Sequence, residues 1–239
     1  MRGPKRASGE RSNAWSRSKY TNLTPFDPFD SEIPWWRFNG RPALVLPVEG
    51  RTGLPIFTRP LHSAFLRPFE PSDVAAVLAG VPPSFLLDVQ GVYLLGGSLK
   101  QARAATSDLF HYGCYGQGRI SLHAFPRGKF HQRLARAPKP SVRQAFARAG
   151  VKFTNEGGGY SVEFSESSVR QFYLYDVLLH ELGHHVDRRG RMKDRRSSER
   201  YAKWFAETQS RRLAEAMKAT SRITLIRPPL VKGDTSPTA

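Results

Sequence analysis

Residues 172–186 read Phe-Tyr-Leu-Tyr-Asp-Val-Leu-Leu-His-Glu-Leu-Gly-His-His-Val, an apolar run without proline and with Gly183 as its one glycine. The run is too long for an ordinary strand and reads as a buried helix. On a helix, His180 and His184 are four positions apart and about 40° out of register, so both imidazoles can reach one metal ion. Glu181 points in an adjacent direction, where its carboxylate can touch a water at the metal without being a ligand itself. Two histidines holding Zn²⁺, with a glutamate as general base for a hydrolytic water, is the chemistry that this spacing supplies. A hydrogen-bonded structural histidine pair is the competing reading.

Two histidines leave zinc short of a protein ligand, because hydrolytic sites use three and keep the fourth position open. A second helix is expected directly downstream, from Ser198 through Glu199, Tyr201, Ala202, Phe205 and Ala206 towards Leu213, with Ser197 or Ser198 as its N-cap. Glu199, Ala202 and Ala206 share one face. Small residues on that face let the helix come close, so that Glu199 can reach a metal held by its neighbour. The intervening loop, Asp187 to Ser197, contains Gly190 and suits an αα-hairpin. Taken alone, Glu199 is an ordinary first-turn glutamate that complements the helix dipole. Glu207 is the reserve ligand, about 12 Å further along the helix, so only one of the two can serve.

His180-Glu181-Leu182-Gly183-His184, followed by Glu199-x-x-Ala202-x-x-Phe205-Ala206, resembles the gluzincin type of zinc metallopeptidase. It is most similar to the ImmA/IrrE-like branch and the minimal single-domain gluzincins. The resemblance covers about residues 174 to 207. It implies His180, His184 and Glu199 as zinc ligands, and Glu181 as the base that activates water. It also implies an α+β, zincin-like fold, in which a small mixed sheet packs on the active-site helix and the following glutamate helix. The metzincin pattern fits worse, because Asp187 and Gly190 stand where glycine and a third histidine or aspartate are required. Asp176 and Asp187, one turn either side of the histidines, are candidates to accept the second N–H of a ligating imidazole. His185 points about 100° away from His184 and reads as a bystander.

Elsewhere the pattern is coarser. Pro71-Ser72-Asp73 opens a short helix, Val74 to Leu78, and Pro138 to Gly150 reads as another. Leu87 to Leu95, His111 to Tyr115, Arg119 to Phe125 and Tyr160 to Phe164 read as strands. Glu156-Gly157-Gly158-Gly159 reads as a turn, and Trp35 to Val48 as an extended arm lying on the core. The resemblance implies an edge strand beside the zinc, where an extended substrate would pair, and Arg119 to Phe125 is the strand chosen for it. Tyr112, Tyr115, His131 and Tyr201 are the candidate donors to a developing oxyanion.

The chain of 239 residues carries a formal net charge of +17, with a sequence pI near 10.6. It divides into a basic tail (1–24), a domain (25–227) and a second tail (228–239). A single cysteine, Cys114, excludes an internal disulfide and fits a reducing compartment. No run is long and apolar enough for a membrane span, and the N-terminus lacks a secretory h-region, so a cytoplasmic location is expected. Such a field attracts nucleic acid, acidic proteins or anionic membrane surfaces. The densest cationic cluster, Arg188 to Arg196, reads as a solvated loop whose cations suit the C-terminal end of the histidine-bearing helix. The sharper reading is a phosphate-binding patch, whose nucleic-acid binding would be non-specific and salt-sensitive. The expected activity is zinc-dependent hydrolysis of peptide bonds in a peptide or protein substrate. The alternatives are a protease acting on DNA-bound proteins, similar in role to the SprT-like family, and a non-catalytic, zinc-stabilised regulatory module.

Overall fold

The computed structural model describes residues 41–49, 51–98, 101, 110–190 and 194–226. The segments read as tails lie outside them, as does the centre of the arginine-rich cluster. The fold is α+β. Strands β1 (Leu44–Val48), β2 (Arg51–Thr58), β4 (Gly91–Leu94), β5 (Gly113–Gly116) and β6 (Arg119–Leu122) form a sheet in the order β1-β2-β4-β6-β5. β2, β4 and β6 run parallel, and β1 and β5 lie antiparallel at the two edges. Two short strands, β3 (Phe65–Leu66) and β7 (Phe125–Pro126), pair with each other. β8 (His131–Leu134), β10 (Tyr160–Glu163) and β9 (Lys152–Asn155) form a separate antiparallel sheet. The glycine turn at 156–159 closes its β9–β10 hairpin, with Gly157 and Gly158 both at positive φ.

Alternation along the strands decides which face is buried. Ile56, Val92, Ile120 and Tyr115 are cross-strand partners in one row, and Leu94, Leu122 and Gly113 align in the next. The aliphatic members of both rows are fully buried. They meet Val74, Val77 and Leu78 of α1 (Pro71–Ala79), and Leu178, Leu179 and Leu182 of the histidine-bearing helix, in one core. Each buried aliphatic side chain contributes on the order of 1.5–3 kcal/mol. The short helices α2 (Pro83–Leu86) and α3 (Pro140–Arg148) flank this core. The arm expected at Trp35 to Val48 is instead, where described, strand β1, paired with β2 in a hairpin.

The helix expected over Phe172 to Val186 begins earlier and contains a wide turn. Helix α4 (Glu166–Gln171) starts at Ser165, whose hydroxyl accepts from the Ser168 amide while the Ser168 hydroxyl accepts from the Ser165 amide. Phe172–Val177 is then π-helical, with the Leu178 amide donating to the Tyr173 carbonyl five residues back. Helix α5 (Leu178–Gly190) follows without a break, and α6 (Arg195–Ile226) completes the described chain. The connection between α5 and α6 is therefore shorter than the expected loop. The N-cap of α6 is Asp194 rather than a serine, since its carboxylate accepts from the Ser197 amide at 2.9 Å. No helix among the described residues is long and apolar enough to cross a membrane.

His123, directly after β6, is buried, and burial pushes its imidazole down to about 3, helped by the nearby charge of His111. A histidine whose folded value lies below its unfolded value of about 6.5 stabilises the fold fully above that pH. The stability it supplies is lost as pH falls from about 6.5 towards 3. The melting temperature should therefore drop through this window, and His123→Phe should drop less steeply than wild type. Equal slopes would show that His123 does not govern acid unfolding.

Candidate metal centre

Helices α5 and α6 cross at contact distance because both present small residues. A Cβ built on Gly183 would lie 2.8 Å from the Ala202 Cα and 3.1 Å from its carbonyl oxygen. Ala202 and Ala206 are buried in the same interface. This approach carries Glu199, one turn before Ala202, over the two histidines.

His180 Nε2, His184 Nε2 and a Glu199 carboxylate oxygen lie within 4.8 Å of one another. The nitrogens are 3.1 Å apart, and Glu199 oxygens stand 3.5 Å from His180 Nε2 and 3.7 Å from His184 Nε2. Tetrahedral bonds of about 2.0–2.1 Å place ligand atoms roughly 3.3 Å apart. The three separations straddle that value, and two imidazoles with one carboxylate are a donor set suited to zinc. The residues present fit the ion. Glu207 does not join them. It lies 3.8 Å from Arg148 and 4.0 Å from Arg211, facing the guanidinium groups.

The partners of the histidines differ from those expected. His184 Nδ1 lies 3.1 Å from the Ser198 hydroxyl, so with Nδ1–H donating, the Nε2 lone pair faces the cluster. Asp187 is buried but has no hydrogen bond to His184, and Asp176 pairs with Arg148. Ser198 takes the role because the N-cap lies at Asp194, which places Ser198 inside the first turn beside Glu199. His185 is no bystander to the fold. Its Nε2–H donates to the Leu87 carbonyl at 2.6 Å, and Nδ1 then accepts from the Tyr115 hydroxyl at 3.0 Å. The ring thereby ties α5 to strand β5.

Glu181 is 7% exposed and stands apart from the three-donor cluster. Burial pushes its carboxyl up to about 7, with the Glu199 charge adding and His180 opposing. Such a value suits proton exchange near neutrality. Glu199 is held down at about 2, first by its hydrogen bond with His180, then by the charges of His180, His184 and Lys203.

The edge beside these groups is β5, which corrects the assignment of Arg119 to Phe125. Gln117 and Gly118 both adopt positive φ, as a two-residue hairpin turn requires, and they fold β5 back onto the outer side of β6. β6 is thus interior, between β4 and β5. Gly113 brings β5 against the base, for a Cβ there would fall 2.7 Å from Val177 Cγ1 and 3.1 Å from a Glu181 carboxylate oxygen. A cleft of about 320 Å³ opens here, lined by His180, Glu181, Gly113 and apolar groups that include Phe110, Phe146 and Phe172.

Of the four candidate oxyanion donors, Tyr112 alone lines this cleft, and burial pushes its hydroxyl up to about 12. Tyr115 is engaged by His185, Tyr201 packs against Trp204 and Phe205, and His131 lies exposed on β8. His111 and Lys203 also line the cleft. Sequence reasoning passed over both, although His111 precedes the edge strand and Lys203 follows Glu199 by one helical turn. In comparisons with known proteins, no family model, no curated protein and no solved structure matches the chain.

Proposed function

We propose that this chain is a zinc-dependent metallopeptidase of the gluzincin type. The observation that carries the reading is the cluster of His180, His184 and Glu199, with ligand atoms within 4.8 Å of one another, next to a buried Glu181 that does not join it. His180, His184 and Glu199 would hold Zn²⁺, with Ser198 fixing the His184 tautomer. Bound there, zinc supplies Lewis acidity that polarises a substrate carbonyl and makes water acidic near neutral pH. Glu181 takes the proton from the attacking water and delivers it to the departing amine. A peptide laid along β5 would be held extended by backbone hydrogen bonds, with its carbonyl presented over the cleft. His111 and Lys203 are placed to steady negative charge that develops on that oxygen. With one cysteine, the protein suits a reducing compartment such as the cytoplasm.

Metal content tests the assignment directly. Purified wild type should hold about one zinc per chain, and His184→Ala and Glu199→Ala should lose most of it. Glu207→Ala should keep it. Full occupancy in Glu199→Ala, with loss in Glu207→Ala, would move the third ligand. Absence of zinc from a wild-type protein refolded with the ion would remove the proposal altogether.

A further inference from the structure

We infer that the outward face of α6 is a binding ridge for single-stranded nucleic acid, centred on Trp204. The inference does not depend on a metal at His180, His184 and Glu199. Trp204 is 58% exposed, and its ring lies 5.4 Å from that of the half-buried Tyr201. At 100° per residue, Arg196, Arg200, Arg211, Arg212 and Lys218 fall within about 80° of Trp204 around the helix. All five are exposed. Glu207 and Glu215 are the acids on the same face, so the ridge carries a surplus of three positive charges over roughly 33 Å of helix.

Two features select the partner. An exposed indole flanked by cations can stack on one base while the cations follow the phosphates, an arrangement that needs unpaired bases. A protein interface would need an apolar centre, and between Arg196 and Lys218 this face has no large apolar side chain beyond Trp204 and Tyr201. The overall charge of +17 favours a polyanion throughout. The ridge runs beside the cleft, since Lys203 and Glu207 of the same helix line it.

The test is fluorescence anisotropy of the full chain with labelled oligo(dT) of about 20 nucleotides at ~50 mM salt. Wild type should bind, and Trp204→Ala should weaken binding about 5-fold or more with the salt slope unchanged. Trp204→Phe, which keeps a stacking ring, should recover most of the affinity, whereas Trp204→Leu should not. Arg200→Ala with Arg211→Ala should flatten the slope of log K against log salt by about 0.7 per lost contact. Melting curves should show that all variants remain folded, because every substituted side chain is exposed. Equal affinity for Trp204→Ala and wild type would overturn the proposal, as would no binding at low salt. So would a duplex bound as tightly as oligo(dT), which would indicate charge alone. Equally effective competition by poly-glutamate at matched charge would overturn it in favour of an acidic protein partner.

Discussion

Glu181→Gln is expected to leave zinc content unchanged and to lower peptide hydrolysis by at least the ~10²-fold typical of a general base. Glutamine keeps the size and hydrogen-bonding shape of the side chain, so packing beside Gly113 and Val177 survives. It is neutral, which suits a buried position where burial already disfavours the charged form. The melting temperature should therefore hold. Three measurements together decide the matter: metal content, thermal melting, and cleavage of a peptide library with and without chelator. Undiminished cleavage by Glu181→Gln would remove the mechanism. Loss of zinc from the variant would make Glu181 a ligand. A wild type that binds zinc yet cleaves no peptide, denatured protein or DNA-bound protein would point to the regulatory module instead.

The second large effect is expected at a residue that touches neither metal nor substrate. Gly183→Ala adds a methyl group where the nearest atoms are the Ala202 backbone at 2.8 and 3.1 Å and Phe205 Cβ at 3.2 Å. Backbone cannot swing aside as the end of a flexible side chain can, so α5 and α6 must separate. Overpacking costs about 1–3 kcal/mol, and the better helix propensity of alanine, ~1 kcal/mol, offsets only part of that. Gly183→Val should be worse. Separation also draws Glu199 away from the histidines, and zinc affinity should fall on the order of 10-fold or more, as when supports of a metal site are removed. Chelator competition reads the affinity and calorimetry the stability. If Gly183→Ala binds zinc as tightly as wild type, the close crossing does not set the position of Glu199.

The contrast between these two residues shows what was legible in the sequence. The four residues proposed for the metal chemistry, His180, Glu181, His184 and Glu199, sit on helices whose period is fixed, so their spacing already gives their directions. The α+β class followed from the family resemblance that these four residues carry. What was misread depends on the path of the chain between elements. Arg119 to Phe125 alternates as a half-buried strand should, but alternation is the same for an interior strand and an edge strand. Only the turn at Gln117-Gly118 decides between them, and a glutamine at positive φ gives little warning. His185 was misjudged because its partners, Tyr115 and Leu87, are 70 and 98 residues away in sequence. The π-helical turn left no mark either, since Phe172 to Val177 has neither proline nor glycine. The second sheet was missed in part because β8 and β9 are short, polar and mostly exposed.

Strand β5 is four residues long, about 14 Å at 3.4 Å per residue. One side of it is already paired with β6, so only alternate residues can turn their N–H and C=O towards a newcomer. That leaves two residues and about four hydrogen bonds. At roughly 0.5–1.5 kcal/mol net for each, so short a grip holds an extended chain at about millimolar strength, and no tighter than tens of micromolar. Backbone pairing can thus align a substrate but cannot retain it. Retention has to come from what fills the apolar cleft. Scrambling a good substrate while keeping the residue that enters the cleft should cost little, and replacing that one residue with glycine should cost most of the selectivity.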